Sequence, residues 1–207
     1  MRPNADEEAR KVAREKVARE HLPRLLGGSE LAPAEVALIA MQGFTVALSK
    51  PAPERREKFR AHIAALVEET RAPGELDRDE SAAPPPVALA SGCAVCKGLC
   101  CRHAGDAAHI DDAAVRRVRA LWPELEEADV IALYVNAIPE RTVERSCIVH
   151  GEHGCTLPRE LRSQTCNEFL CVPVREWQER EGTQARPTAM VVVADDQVIR
   201  AGLLLTR

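Results

Sequence analysis

The spacing of apolar positions predicts three helices in the first third of the chain. Asn4, followed by three acidic residues, is typical of a helix start, and this first helix should run to about His21. Pro33 opens a second predicted helix, which carries Val36, Leu38, Ile39, Phe44, Val46 and Leu48. Pro53 opens a third, with Phe59, Ile63, Leu66 and Val67 on one amphipathic face. We expect these faces to pack on one another.

The rest of the chain changes character several times. Residues 72–92 hold three consecutive prolines and no helical period, which is typical of a linker. Asp111 is then expected to cap a helix that carries Val115, Val118, Leu121 and Trp122 on one face, and Pro123 to start another that runs to about Ala137. Near the end, the pattern predicts a short helix at 173–181 and a hairpin from 189–194 and 198–205, joined by Asp195-Asp196-Gln197.

These elements predict a mainly α fold with a small β-hairpin, of the α+β class. At 207 residues the chain suits one domain, or one domain with a helical appendage. The predicted divisions are a helical N-terminal region at 1–71, the linker at 72–92, a cysteine-rich module at 93–175, and the short helix with the hairpin at 176–207.

Composition excludes some classes of function. The net charge of -4 does not favour nucleic-acid binding, which usually needs a basic surface. The N-terminus has no apolar segment typical of a secretory signal, and no apolar run is long enough to span a bilayer. We therefore expect a cytoplasmic protein without membrane contact. Because cytoplasmic thiols are kept reduced, a disulfide framework is disfavoured.

The candidate functional residues of this sequence are its cysteines, and all eight of them lie between positions 93 and 171. The predicted metal ligands are Cys93, Cys96, Cys100, Cys101, Cys147, Cys155, Cys166 and Cys171. Cys93 and Cys96 are spaced so that one tight turn can bring two thiolates to one metal. A redox pair is the alternative for a C-x-x-C spacing alone.

The remaining cysteines predict a site that is not local. Adjacent side chains tend to point apart, so Cys100 and Cys101 are awkward ligands for one ion and favour two metals or a cluster. The later cysteines are widely spaced and suit loops that fold back on the first group. His150 and His153 could complete a shell, although a loop histidine in water is the expectation for each. Many thiolates favour zinc or an iron–sulfur cluster, most simply of the 4Fe–4S type, and both stay open.

The order of these motifs resembles the YkgJ-like cysteine-cluster family. The motifs are C-x-x-C-x-x-x-C-C, an isolated Cys147, Gly154-Cys155-Thr156-Leu157, and Arg162 followed by Cys166 and Phe169. The resemblance covers about residues 90–175, and its members are described as zinc- or iron-chelating proteins. The module is also similar to one within flagellin lysine methylases. The sequence departs from the family at Pro158, Ser163 and Asn167, and only some relatives have a cysteine at the place of Cys171.

Three functions follow as hypotheses. The first is a metal-binding protein with a structural, redox or metal-sensing role, in which metal loss should disorder residues 93–171. The second is a metal-dependent enzyme, although the chain has no glycine-rich dinucleotide loop and no serine nucleophile motif. The third is a metal-stiffened interaction module, in which the N-terminal helices bind a protein partner. Arg162 is a candidate to offset the negative charge of clustered thiolates.

Overall fold

The computed structural model describes residues 5–44, 47–71, 87–181 and 187–204, with side chains throughout except at 87–91. The fold is mixed α+β with a helical N-terminus, which confirms the predicted class. Within the described ranges, none of the helices has the length and apolar character that crossing a membrane requires. Asn4, residues 72–86 of the predicted linker, and the end of the predicted hairpin at 205 lie outside these ranges.

The helices and strands follow in chain order. The α-helices are Ala5–Leu25 (α1), Pro53–Glu69 (α2), Val87–Cys96 (α3), Asp112–Leu121 (α4), Glu127–Asn136 (α5), Gln164–Glu168 (α6) and Val172–Glu181 (α7). The strands are Ala37–Gln42 (β1), Leu48–Ser49 (β2), Thr142–Val143 (β3), His150–Gly151 (β4), Gly154–Cys155 (β5), Thr188–Ala194 (β6) and Gln197–Leu204 (β7). Short 3-10 turns occupy Pro33–Glu35, Leu99–His103 and Arg159–Leu161.

The chain divides into two compact units. The first, here called the sheet unit, consists of Met1–Thr45, Pro85–Leu99 and Leu170–Arg207. The second, the thiol unit, consists of Val46–Pro84 and Cys100–Phe169. The boundary therefore falls inside the cysteine-rich segment, between Leu99 and Cys100.

A three-stranded sheet with the order β1-β6-β7 forms the centre of the sheet unit. β6 pairs with β1 in parallel and with β7 antiparallel. Asp195 and Asp196 form the tight turn between β6 and β7, and both have positive φ, as a two-residue hairpin turn of this hand requires. The predicted hairpin is thus confirmed, and β1 adds a third strand to it.

The alternation of side chains along β6 builds two apolar layers. Ala189, Val191 and Val193 pack with Ala18 and Leu22 of α1 on one face of the sheet. The opposite face packs against α3 and α7, and its core residues are Ala37, Ile39, Met41, Cys96, Val174, Trp177, Met190, Val192 and Leu204. Both faces of the sheet are therefore covered.

The thiol unit has a separate core between α2, α4 and α5. The predicted apolar face of α2 is confirmed, since Phe59, Ile63, Leu66 and Val67 are all buried. Asp111 caps α4 as predicted, because its carboxylate accepts a hydrogen bond of 2.9 Å from the Ala114 N–H. The segment after β3 contributes Cys147, Ile148, Val149, Leu157 and Leu161 to the same core.

The predicted second helix is wrong. After the turn at Pro33–Glu35 the chain forms β1, whose residues Ala37–Met41 are largely buried. A short apolar run is compatible with a helix or with a strand covered on both faces, and local periodicity does not separate the two. The choice is made by pairing with β6, which lies far along the chain. The described end of the predicted linker is also different, since residues 87–92 belong to α3.

Candidate metal centre

The eight cysteines, none of which forms a disulfide, are divided between the two units. The thiol unit contains five, namely Cys100, Cys101, Cys147, Cys155 and Cys166. The sheet unit contains Cys93, Cys96 and Cys171. The sequence predicted a single composite site, and the fold places its ligands in two separate packing environments.

Cys100 and Cys101 lie in the 3-10 turn Leu99–His103, and their side chains are hydrogen-bonded to each other. This bond lowers the pKa of Cys100 to about 7, with help from backbone N–H groups and from Arg162, while the same bond raises the pKa of Cys101. The expectation that adjacent thiols point apart is wrong here. Strand alternation does not apply, because a 3-10 turn has three residues per turn rather than two.

The backbone places Cys147 beside this pair. Its N–H donates to the Cys101 carbonyl at 3.0 Å, and the next N–H, of Ile148, donates to the Gly105 carbonyl at 3.1 Å. Arg55 of α2 fixes the preceding residue by donating to the Ser146 carbonyl at 2.7 Å. Burial raises the pKa of the Cys147 thiol to about 12, so without a metal it stays protonated.

A small hairpin brings Cys155 back toward Cys147. β4 pairs with β5 so that His150 lies opposite Cys155, and Gly154 supplies the φ of +110° that the return requires. The Thr156 N–H donates to the Val149 carbonyl at 2.9 Å and extends this pairing. A negative charge on Cys155 would raise the pKa of Cys101, Cys147 and Cys166, so it lies within electrostatic reach of all three.

Cys166 is positioned by a helix cap. Ser163 caps the short helix α6 and accepts a hydrogen bond of 3.3 Å from the Cys166 N–H. Although Cys166 is exposed as a residue, partial burial of its thiol raises the pKa, and charges on Cys155 and Cys100 raise it further. Cys166 thus belongs to the same electrostatic group as the other four cysteines of the thiol unit.

Among the described residues, Arg162 is one of two cations of this group, and the other is Arg55, whose charge lowers the pKa of Cys147. The charge of Arg162 lowers the pKa of both Cys100 and Cys166. Two contacts hold Arg162, because its Nε donates to the Leu157 carbonyl at 2.8 Å and its own carbonyl accepts a short hydrogen bond from Arg117. The proposed role of Arg162, which is to offset thiolate charge, is consistent with this position. Arg117, which fixes Arg162 from α4, has no signal in the sequence that could have identified it.

The histidines near the cysteines have different environments. His150 is fully buried, with its Nδ1 2.6 Å from the Ser146 Oγ, so the expectation of a loop histidine in water is wrong for it. β4 carries it inward because its neighbours Val149 and Ile148 are core residues. His153 is exposed, as expected, and so is His103, which follows the cysteine pair.

The candidate ligands lie near one another but do not surround a common metal position. Across the described ranges, no three side chains of His, Cys, Asp or Glu lie close enough together to hold one metal ion. The chemistry of the donor set nevertheless fits a soft or borderline metal, because five thiols of one unit share an electrostatic environment with the guanidinium groups of Arg162 and Arg55. The arrangement is suited to holding a cation that thiolates prefer.

Of the three cysteines of the sheet unit, two lie on α3 and the third lies directly before α7. Cys93 and Cys96 occupy the last turn of α3 rather than a tight turn, with Cys93 exposed and Cys96 buried. Arg200 of β7 donates to the carbonyls of Val95 and Cys96 at 3.0 and 3.2 Å and so holds the end of that helix. Cys171 lies directly before α7, 3.9 Å from the sulfur of Met41. Neither Arg200 nor Met41 could be identified from the sequence, because both come from strands far along the chain.

Comparison of the chain with protein-family models, with curated proteins and with solved structures finds no match.

Proposed function

We propose that this is a metal-binding protein whose thiol unit holds an iron–sulfur cluster through its cysteines. The proposal depends on one observation. Five thiols from separate chain segments lie close enough together for a negative charge on one of them to raise the pKa of others. Without a metal such a group is costly, because each thiolate raises the pKa of its neighbours. A bound cation removes this repulsion and releases the thiol protons.

The number and placement of the thiols favour a cluster over a single zinc ion. A structural zinc site is filled by four ligands, and the thiol unit offers five cysteines, two of them adjacent. In a cluster, neighbouring thiolates can bind different iron atoms, so Cys100 and Cys101 need not share one ion. The resemblance to a family of zinc- or iron-chelating proteins supports the same donor set. The predicted participation of Cys93, Cys96 and Cys171 in this centre stays a prediction.

The proposal requires a closing movement around the centre. The hairpin that carries Cys155 and the loop that carries Cys166 would have to approach Cys100, Cys101 and Cys147. Arg162 is well placed to stabilise the resulting anionic centre, because hydrogen bonds and positive charge near cluster sulfurs stabilise their negative charge. The role that follows most directly is structural, because the cluster would join segments that the backbone connects only through loops.

Loss of the metal should therefore disorder the thiol-bearing loops rather than all of residues 93–171. The sequence argument assumed that this segment has no other source of order. In the structure Ile148, Val149, Leu157 and Leu161 are buried in the core formed by α2, α4 and α5. That apolar core does not depend on metal, so the three helices should persist in the metal-free protein.

Anaerobic purification of the full chain tests the proposal, with measurement of iron, zinc and acid-labile sulfide and with a visible spectrum. We expect a brown protein that contains iron and sulfide. Cys155→Ser should lose most of this iron, whereas Cys171→Ser, the same change in the sheet unit, should keep it. A colourless protein with bound zinc would show that the chain holds zinc rather than an iron–sulfur cluster. A chain that binds neither metal, or equal loss in both variants, would overturn a centre in the thiol unit.

A further inference from the structure

Two sulfur atoms are in contact in the core of the sheet unit. The Cys171 Sγ lies 3.9 Å from the Sδ of Met41, which is a buried residue of β1. Cys171 comes from the segment just before α7, and both residues belong to the sheet unit. In the metal-free protein this contact is a weak S–H···S hydrogen bond.

The separation is also what metal coordination would require. Two sulfur ligands that each lie about 2.3 Å from one ion are about 3.8 Å apart in tetrahedral geometry and about 4.0 Å apart in the trigonal geometry of three ligands. The observed distance of 3.9 Å between the two sulfurs therefore needs almost no adjustment to accept an ion between them. An arrangement of this kind would add little strain to a packed core.

A third sulfur belongs to the same apolar cluster. Cys96, at the end of α3, is 8% exposed and packs in the cluster that includes Met41, with Cys171 at its margin. Arg200 fixes this end of α3 through the carbonyls of Val95 and Cys96. The surroundings of the three sulfurs are apolar, with Leu99, Leu170 and Trp177 in the same cluster.

We propose that Cys96, Cys171 and Met41 form a second metal site, selective for monovalent copper. Soft thiolate and thioether ligands select Cu(I), and a thioether is a poor ligand for harder ions. Two thiolates and one thioether leave a net charge of −1 around a monovalent ion, and the guanidinium of Arg200, which lies within electrostatic reach of Cys96, offsets that charge in the apolar surroundings. Binding would release two thiol protons to solvent and would change no oxidation state. The inference does not rest on the cluster proposed for the thiol unit.

Anaerobic titration of the full-length protein with Cu(I), in competition with a chromogenic Cu(I) chelator, tests this site. Met41→Leu removes the thioether and keeps the apolar volume, and Cys171→Ser removes one thiolate. Met190→Leu is the matched control, since Met190 is a buried methionine of the same cluster. Thermal unfolding followed by circular dichroism checks that each variant folds.

We expect the wild-type chain to withhold one Cu(I) from the chelator at this site. Met41→Leu and Cys171→Ser should each weaken that binding by at least about tenfold, because even residues outside the first coordination shell cost this much in other metal sites. Met190→Leu should leave it unchanged. The proposal is overturned if the wild-type chain does not compete for Cu(I), if Met41→Leu binds as tightly as wild type, or if Met190→Leu loses as much affinity as Met41→Leu. Iron content, measured on the same samples, reports on the cluster separately.

Discussion

Substitution of Gly202 by alanine should destabilise the sheet unit through one close contact. Gly202 lies in β7, and a Cβ added there would be 2.7 Å from the Cγ2 of Val95 on α3. Carbon atoms in contact are ordinarily about 3.5–4.0 Å apart, so something would have to move by about 1 Å. Val95 is poorly able to move, since a β-branched side chain in a helix has one preferred rotamer and Arg200 holds its carbonyl.

The magnitude follows from two opposing effects. Overpacking of this kind lowers the free energy of unfolding by about 1–3 kcal/mol, whereas replacing glycine by alanine within a strand raises it by about 0.5–1 kcal/mol. We therefore expect Gly202→Ala to lower the free energy of unfolding by about 0.5–2 kcal/mol. Gly92→Ala, on α3, is the control. There the added Cβ would be 2.8 Å from the terminal Cε of Met190, a flexible side chain that can move aside. In a helix the replacement of glycine by alanine raises the free energy of unfolding by about 1 kcal/mol, which should offset the displacement of Met190 and leave a net change close to zero.

Urea unfolding, followed by the fluorescence of Trp177 in a Trp122→Phe background, measures this change. Trp177 is buried in the sheet unit, on the face that packs against α3. The double variant Gly202→Ala with Val95→Ala should recover the part of the loss that comes from the contact, and a double-mutant cycle isolates it. If Gly202→Ala unfolds at the wild-type urea concentration and with the wild-type slope, α3 does not pack on β7 as closely as described.

Three further predictions concern a helix end, a core residue and a reactive thiol. Arg200→Ala should lower the free energy of unfolding by about 1.5–3 kcal/mol, because the carbonyls of Val95 and Cys96 lose charge-assisted hydrogen bonds. In the same urea assay, Arg200→Lys should recover only part of this lost stability. Phe59→Ala should lower the free energy of unfolding by about 3–5 kcal/mol, because Phe59 is fully buried. Phe169→Ala, at a residue that is 54% exposed, should change it by less than about 0.5 kcal/mol. Equal effects of the two substitutions would contradict the described core. In metal-free protein, Cys100 should be the thiol alkylated fastest by iodoacetamide, with a rate that rises as pH increases through about 7 and the thiolate forms. Arg162→Gln should shift that rise to higher pH, and peptide mapping identifies the alkylated residue; an unshifted profile would show that Arg162 does not act on this thiol.

Helices with a strong local pattern were predictable. α2 has apolar residues at helical spacing and a proline at its first position, and α4 begins at an aspartate that caps it. These features act over one or two turns, so they are complete in the local sequence. The closing hairpin was predictable for the same reason, because two adjacent aspartates at positive φ connect two β-rich runs.

β1 was not predictable from local pattern. Its run of apolar residues is buried on both faces of the sheet, so it lacks the alternation that identifies a half-exposed strand. Pairing with β6 supplies the hydrogen bonds that make the strand conformation favourable, and that partner is near the other end of the chain. A helical interpretation of residues 33–48 was therefore consistent with everything within its own window.

The candidate site divides in the same way. The sequence by itself determined that the chemistry of this protein is that of thiols, because eight cysteines between positions 93 and 171 are a matter of composition and spacing. Only the tertiary structure decided which thiols are neighbours. The chain passes from one unit to the other between Leu99 and Cys100, so Cys96 and Cys100 belong to different units although only three residues lie between them. The fold also brought Met41 to Cys171 and Arg162 to Cys100, because contacts of this kind depend on strand pairing and core packing rather than on sequence distance.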